Sequence, residues 1–409
     1  MIKKAIKIIK KYGLKAFVRE SIKWILTKLH LRKPEASVRS SQYNYIDNFL
    51  RLKQHGKYEL KQALNLNHLT INWIIPDLSR GAGGHMTIFR IAKFLEEFGH
   101  KNRIYVFNGC QHKNLEKFIN KNFIKFKNTE FYTNIDSVRD SDVLFATSWQ
   151  TAYPVKVINN TRRKFYFVQD FEPWFYPMSA EYKFAENTYK FGFHCITAGS
   201  WLAKIMQEKY NAKSNYFDLA YDRQIYYPKN KNKNNKQMPL IAYYARPSTS
   251  RRGFELAMQS FRELFRRGID FKVILFGWDE SQPGLPFPCK SMGILEHGQL
   301  ASLYNKVDLG LVFSLTNYSL IPQEMMACKL PVVDINSETT QAIFTNNKNI
   351  ILADPNPIAV ANAMEKLLKH NKLRDKIAEN GHNWVGQFSW KKSAKKVEDI
   401  IKAELISIL

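Results

Sequence analysis

Two carboxylates directly after an apolar run are the first residues of this chain placed for proton chemistry. Asp170 and Glu172 follow Lys164–Val168 in the stretch VQDFEPW, and α/β folds bind ligands just beyond the carboxyl ends of their strands. Either carboxylate can orient or deprotonate a substrate hydroxyl there; helix capping before Pro173 is the structural alternative. A second group is cationic. Arg246 and Arg252 lie in the loop ARPSTSRRG after the apolar run Leu240–Ala245. Two guanidinium groups at a strand end neutralise a diphosphate and the charge that grows on it when its bond breaks. The third is the stretch SLTNYSLIPQEMMACKLPVV, residues 314–333. Here Asp308–Phe313 reads as a strand. Leu320–Cys328 reads as a short helix that tolerates Pro322 in its first turn, and Leu330–Asp334 as a second parallel strand. The loop residues Thr316, Asn317, Tyr318, Ser319 and Leu320 therefore meet a helix amino end, where unpaired amides and the dipole favour an anion. Glu324 sits one turn in, suited to a sugar hydroxyl. Gly83 and Gly84, in the turn DLSRGAGGH after Leu69–Pro76, allow close backbone approach to a ligand. The turn is not a GxGxxG dinucleotide fingerprint.

These groups need strands ending at a common edge. Leu69–Pro76, the glycine turn and a helix over Met86–Phe98 read as the start of a doubly wound nucleotide fold. Further strands are expected at Arg103–Phe107, Asp142–Thr147, Lys164–Val168 and Cys195–Ala198. The pattern restarts at Leu240–Ala245, with later strands at Phe271–Gly277 and Asn349–Leu352. A chain of 409 residues, 45% hydrophobic, exceeds one typical core. The expectation is α/β, with an N-terminal helical extension (1–66) and two Rossmann-like domains facing a cleft. The first domain covers 67–228 and the second covers 229–389, with the polar run 229–237 as linker. A helical pattern runs over Trp384–Leu409.

No metal is expected. The histidines lack HExxH spacing, the four cysteines are widely separated, and the Asp140–Asp142 triplet DSD precedes its strand, whereas a nucleotide–metal site would follow it. The net charge of +26 points to anionic partners. Residues 1–33 carry eleven basic residues against Glu20 alone, with Ile2, Ile6, Ile9, Phe17, Ile25 and Leu29 at near-helical spacing. That pattern, with Trp24, fits an amphipathic helix lying on an anionic membrane surface. A helix packed on its own domain is the alternative. No nucleic-acid motif accompanies the charge, and no apolar run of spanning length or secretory cleavage pattern is present. A cytoplasmic protein, peripheral on the inner face of the cell membrane, is the expectation.

The ordered set RGAGGH, FVQDFEPW, AGSWLA, AYDRQIYYP and NYSLIPQEMMACKLPVV resembles the retaining GT-B glycosyltransferases of family 4, and within them the WsaF-type rhamnosyltransferases of cell-surface glycan assembly. The resemblance covers roughly residues 70–390. It implies a GT-B fold, in which a terminal helix at about 390–409 rejoins the first domain, and Arg246 and Arg252 on the donor diphosphate, with Arg252 at a position where the family has lysine. It also implies Glu324 at the second of two glutamates spaced eight positions apart. Thr316 stands where the first would be, which points to a donor other than the common gluco-configured ones. The activity implied is transfer of L-rhamnose from dTDP-β-L-rhamnose to a saccharide or lipid-linked saccharide, with no cofactor and no metal. The other readings are a transferase using another UDP- or GDP-sugar, a nucleotide-sugar 2-epimerase of the same fold, and a non-enzymatic membrane-binding scaffold.

Overall fold

The computed structural model describes Ile46 and residues 63–78, 83–107, 114–135, 137–229, 238–278 and 285–407. The basic segment 1–33, most of the rest of the N-terminal extension and the polar run 230–237 lie outside the described residues. Among the described residues, thirteen strands form two sheets, and every pairing is parallel. The first sheet has the order β3 (Glu130–Tyr132), β2 (Lys101–Val106), β1 (Thr70–Ile75), β4 (Ser141–Ala146), β5 (Thr161–Val168), β6 (His194–Ala198) and β7 (Ser214–Phe217). The second has β10 (Cys289–Ser291), β9 (Lys272–Phe276), β8 (Leu240–Tyr244), β11 (Leu309–Leu311), β12 (Val332–Ile335) and β13 (Ile351–Ala353). Both sheets lie in one compact unit, residues 55–409.

The strands form where the chain is continuously apolar, because helices cover both faces of a parallel sheet. In β1, Ile71 to Ile75 are all buried, and Trp73 stacks on Phe145 of β4 at 4.1 Å between ring centres. Strand order reverses between β1 and β4 in one sheet, and between β8 and β11 in the other. A crevice opens at such a reversal, outside the carboxyl ends of the strands. The glycine turn, the arginine loop and the SLTNYS loop all leave strands at these reversals.

Some elements differ from expectation. The strand read over Asp308–Phe313 keeps only Leu309–Leu311, because the chain turns early so that the Ser314 amide can bond Asp334. The helical pattern at the C-terminus divides into Asn371–Val385 and Trp390–Ile406, the second capped by Ser389, which accepts from the Lys392 amide. β3, β7 and β10 carry no sequence signal. All three are sheet edges of three or four residues, where half-exposed polar positions mask the strand pattern. Asp142 staples strands: it accepts from the Thr70 amide at 2.8 Å and pairs with Arg162 at 2.9 Å.

The Trp390–Ile406 helix packs on the Gly83–Glu97 helix of the first sheet. Buried histidines meet its carboxylates, His100 with Glu398 at 3.0 Å and His194 with Glu404 at 2.9 Å.

Candidate active site

Loops from the two sheets meet at Asp170. It lies two residues beyond the end of β5, and Thr316, after β11, donates its hydroxyl to Asp170 Oδ2 at 3.0 Å. Arg251 Nε lies 3.8 Å from the same oxygen. The Phe171 amide donates to Oδ1 at 2.9 Å. Burial pushes the Asp170 pKa up, while Arg251, Thr316 and Arg252 act to lower it. The guanidinium of Arg251 lies over the Phe175 ring at 4.1 Å, so this second-domain residue rests on the first domain. Sequence reasoning named Arg246 and Arg252 and missed Arg251. Nothing local marks which arginine of the pair Arg251–Arg252 points across the crevice. A single 3₁₀ turn over Ser250–Arg252 decides it, ended by Gly253 at φ +56°. A Cβ at Gly253 would fall 2.9 Å from the Phe313 ring. Arg246 and Arg252 are half-buried and both lie near Tyr244, 6.0 and 5.7 Å from its ring centre. Three guanidinium groups therefore share one loop.

Glu172 faces elsewhere. Its Oε2 accepts from the Trp149 amide at 2.5 Å and from the Tyr166 hydroxyl at 2.8 Å. Trp149 opens the helix Trp149–Val157, capped by Ser148, so the carboxylate satisfies the first amide of a neighbouring helix. Burial pushes its pKa up to about 8.

The SLTNYS loop is held mainly through its side chains. Asp334, buried on β12, accepts from the Ser314 amide at 3.0 Å, and Ser314 Oγ accepts from the Ser319 amide at 3.2 Å. Burial pushes Asp334 up to about 7, against the charge of Arg252. Asn317 donates to the carbonyls of Gln169 and Ala198 at 2.8 and 3.2 Å. The Tyr318 hydroxyl accepts from the Leu219 amide at 3.1 Å. Asn317 and Tyr318, expected to hold a ligand, thus hold the second sheet to the first. The helix Ile321–Ala327 is only seven residues long. Its Ile321 amide already donates to Ser319 Oγ at 3.3 Å, and Pro322 has no amide hydrogen. The open helix end expected from sequence is therefore partly closed. Leu320 is half-buried against the core.

Glu324 is 5% exposed. Burial pushes its pKa up to about 8; Arg90 and a hydrogen bond from Tyr226 act to lower it, and Asp222 raises it. Arg90 pairs with Asp222 and lies 4.8 Å from the Trp390 ring centre. The Tyr226 hydroxyl is 2.8 Å from His297 Nδ1. This cluster lies where the chain passes between the sheets. Gly83 and Gly84 are exposed at the start of the Gly83–Glu97 helix. A Cβ on Gly84 would meet the Gln169 amide at 3.5 Å, so the glycine turn borders the Asp170 loop. Among the described residues, no group of histidine, cysteine and acidic side chains has the arrangement to hold a metal ion. Cys195, Cys289 and Cys328 are free thiols.

Two all-parallel Rossmann-like sheets, joined by contacts between the SLTNYS loop of one and the segments after β5, β6 and β7 of the other, define a GT-B fold. The chain belongs to the WsaF family: the model of the WsaF N-terminal domain matches residues 71–200 and that of the C-terminal domain matches 239–365. It is 30% identical over 261 residues to the O-antigen biosynthesis protein RfbC of Myxococcus xanthus, a match covering 63% of this chain but only 20% of that much longer protein. Among solved structures, Anabaena HepE in complex with UDP and glucose superimposes with a TM-score of 0.66 at 14% identity, covering 84% of this chain and all of that one. Sucrose-phosphate synthase from Thermosynechococcus elongatus gives 0.63 at 13% identity, covering 83% and 99%.

Proposed function

We propose that this chain is a retaining glycosyltransferase of cell-surface glycan assembly, which moves L-rhamnose from dTDP-β-L-rhamnose to a hydroxyl of a lipid-linked saccharide. The observation that carries the reading is the meeting of Asp170, from one sheet, with the arginine loop and Thr316 of the other. An acceptor-orienting carboxylate and a diphosphate-binding loop then share one crevice. The names of the relatives support a sugar-transfer role: one is an O-antigen biosynthesis protein, and a fold neighbour was solved with UDP and glucose. In this reading Arg246 and Arg252 take the diphosphate, with Gly83 and Gly84 close by. The bond from the sugar's anomeric carbon to the phosphate oxygen breaks, and the acceptor oxygen bonds to that carbon on the same face. Asp170 orients the acceptor hydroxyl, whose proton passes to the departing phosphate oxygen. No metal enters the step, because the arginines stabilise the leaving charge. Thymidine lacks a ribose 2′-hydroxyl, so Glu324 serves the 3′-hydroxyl.

The test is a screen of radiolabelled nucleotide sugars with lipid-linked acceptors. We expect label to move from dTDP-rhamnose with retained anomeric configuration, and chelators to have no effect. Epimerised donor without acceptor would select the epimerase reading instead. We also propose that residues 1–33 hold the protein on the inner, anionic face of the membrane, each Lys or Arg contributing about 1 kcal/mol. A chain lacking them should stop co-sedimenting with anionic vesicles yet turn over a soluble acceptor. Continued sedimentation would sink the membrane role.

A further inference from the structure

Arg251 is under-partnered for its position. Its Nε is buried without a hydrogen-bond partner. The nearest carboxylate, Asp170, is 3.8 Å away, beyond hydrogen-bond length. Arg246 and Arg252 crowd it with like charge. Asp170 is better served, since Thr316 and the Phe171 amide already donate to it. A guanidinium with an idle donor, beside two more guanidinium groups and facing a carboxylate from across the crevice, is poised to exchange partners. A diphosphate offers it shorter, charge-assisted, bidentate bonds that Asp170 does not provide.

We propose that Arg251 is a positioning residue that exchanges Asp170 for the donor's diphosphate, so that Asp170 is released to the acceptor only once the donor is seated. The inference rests on the proposed diphosphate-binding role of the arginine loop. Two anions then compete for one cation, and competition has a thermodynamic signature. Occupation of Arg251 by Asp170 costs affinity for the diphosphate, by the population that must be displaced. Removing the charge of Asp170 should therefore tighten nucleoside diphosphate binding, an outcome that a merely structural salt bridge does not produce.

The experiment is calorimetric titration of the full chain with dTDP and UDP, in wild type, Asp170→Asn, Arg251→Gln and the double variant. For a partly exposed pair, Asp170→Asn should tighten binding by about two- to five-fold. Arg251→Gln should weaken it by about 10- to 150-fold. In the double variant the gain from Asp170→Asn should vanish. Equal or weaker binding in Asp170→Asn, or a gain that persists without Arg251, overturns the exchange while leaving the diphosphate site intact. If the folded wild type binds neither nucleotide, the site reading falls and the exchange falls with it. Circular dichroism of each variant separates loss of fold from loss of affinity.

Discussion

Glu172 shows how burial sets the behaviour of a carboxyl group. Burial pushes its pKa up to about 8 in the folded chain, although the Tyr166 hydroxyl and the Trp149 amide act to lower it; unfolded, the value is about 4.3. The folded state therefore keeps a proton that the unfolded state releases. Its contribution to stability is fully present below the unfolded value and is lost as pH rises toward 8. Glu172→Gln cannot ionise, so its melting temperature should fall less between about pH 6 and pH 9 than that of the wild type. Glu324 and Asp334 carry upward shifts too, so the slope should be reduced, not abolished. Parallel melting curves would refute the internal placement of this carboxyl. The sequence made the pair Asp170 and Glu172 legible, since both follow an apolar strand. It did not show which of them faces the crevice: the partner that fixes Glu172 is an amide twenty-three residues earlier.

At the scale of elements, two motifs that look unrelated in sequence explain each other. Gly199 of AGSWLA has φ +91° and ψ 158°, a region open essentially to glycine. A Cβ there would lie 2.6 Å from the Tyr318 ring of NYSL. The β6 turn is bare because the second sheet's tyrosine lies against it. Gly199→Ala should cost about 1–3 kcal/mol from backbone strain alone, read as a shift of the denaturant midpoint at unchanged slope. Tyr318→Phe keeps the ring and should lose less. A Gly199→Ala midpoint matching the wild type would show that the two loops do not touch. This explains why strands and glycine turns were legible whereas the use of SLTNYS was not. Periodicity locates a loop, but the partners of Asn317 and Tyr318 lie 99 to 148 residues away in the chain.

For the whole molecule, the chain passes between the sheets twice, and the passages are tied together. Arg223, on the first passage, donates to the carbonyls of Gly386 and Phe388 on the second. The returning helix Trp390–Ile406 then buries Val397, Ile401 and Leu405. Its register is set by charge as well as by apolar surface. Glu398 bonds His100 at 3.0 Å, Lys395 at 2.7 Å and Lys402 at 2.6 Å. Its pKa drops to about 2: burial opposes the change, but these three bonds outweigh it. The sign is opposite to that of Glu172: the stabilisation is present above the unfolded value near 4.3 and is lost as pH falls toward 2. Glu398→Gln should therefore lower the melting temperature at pH 7, and the deficit should shrink steadily between about pH 4.5 and pH 2. Lys395 and Lys402 are neighbours on the same helix, so their pairing would survive any slip of that helix. The bond to His100, 298 residues away, would not. His100→Gln should consequently remove part of the Glu398 effect, and the double variant should lose less than the sum of the two single losses. Strict additivity would mean that the His100–Glu398 contact does not set the position of the helix.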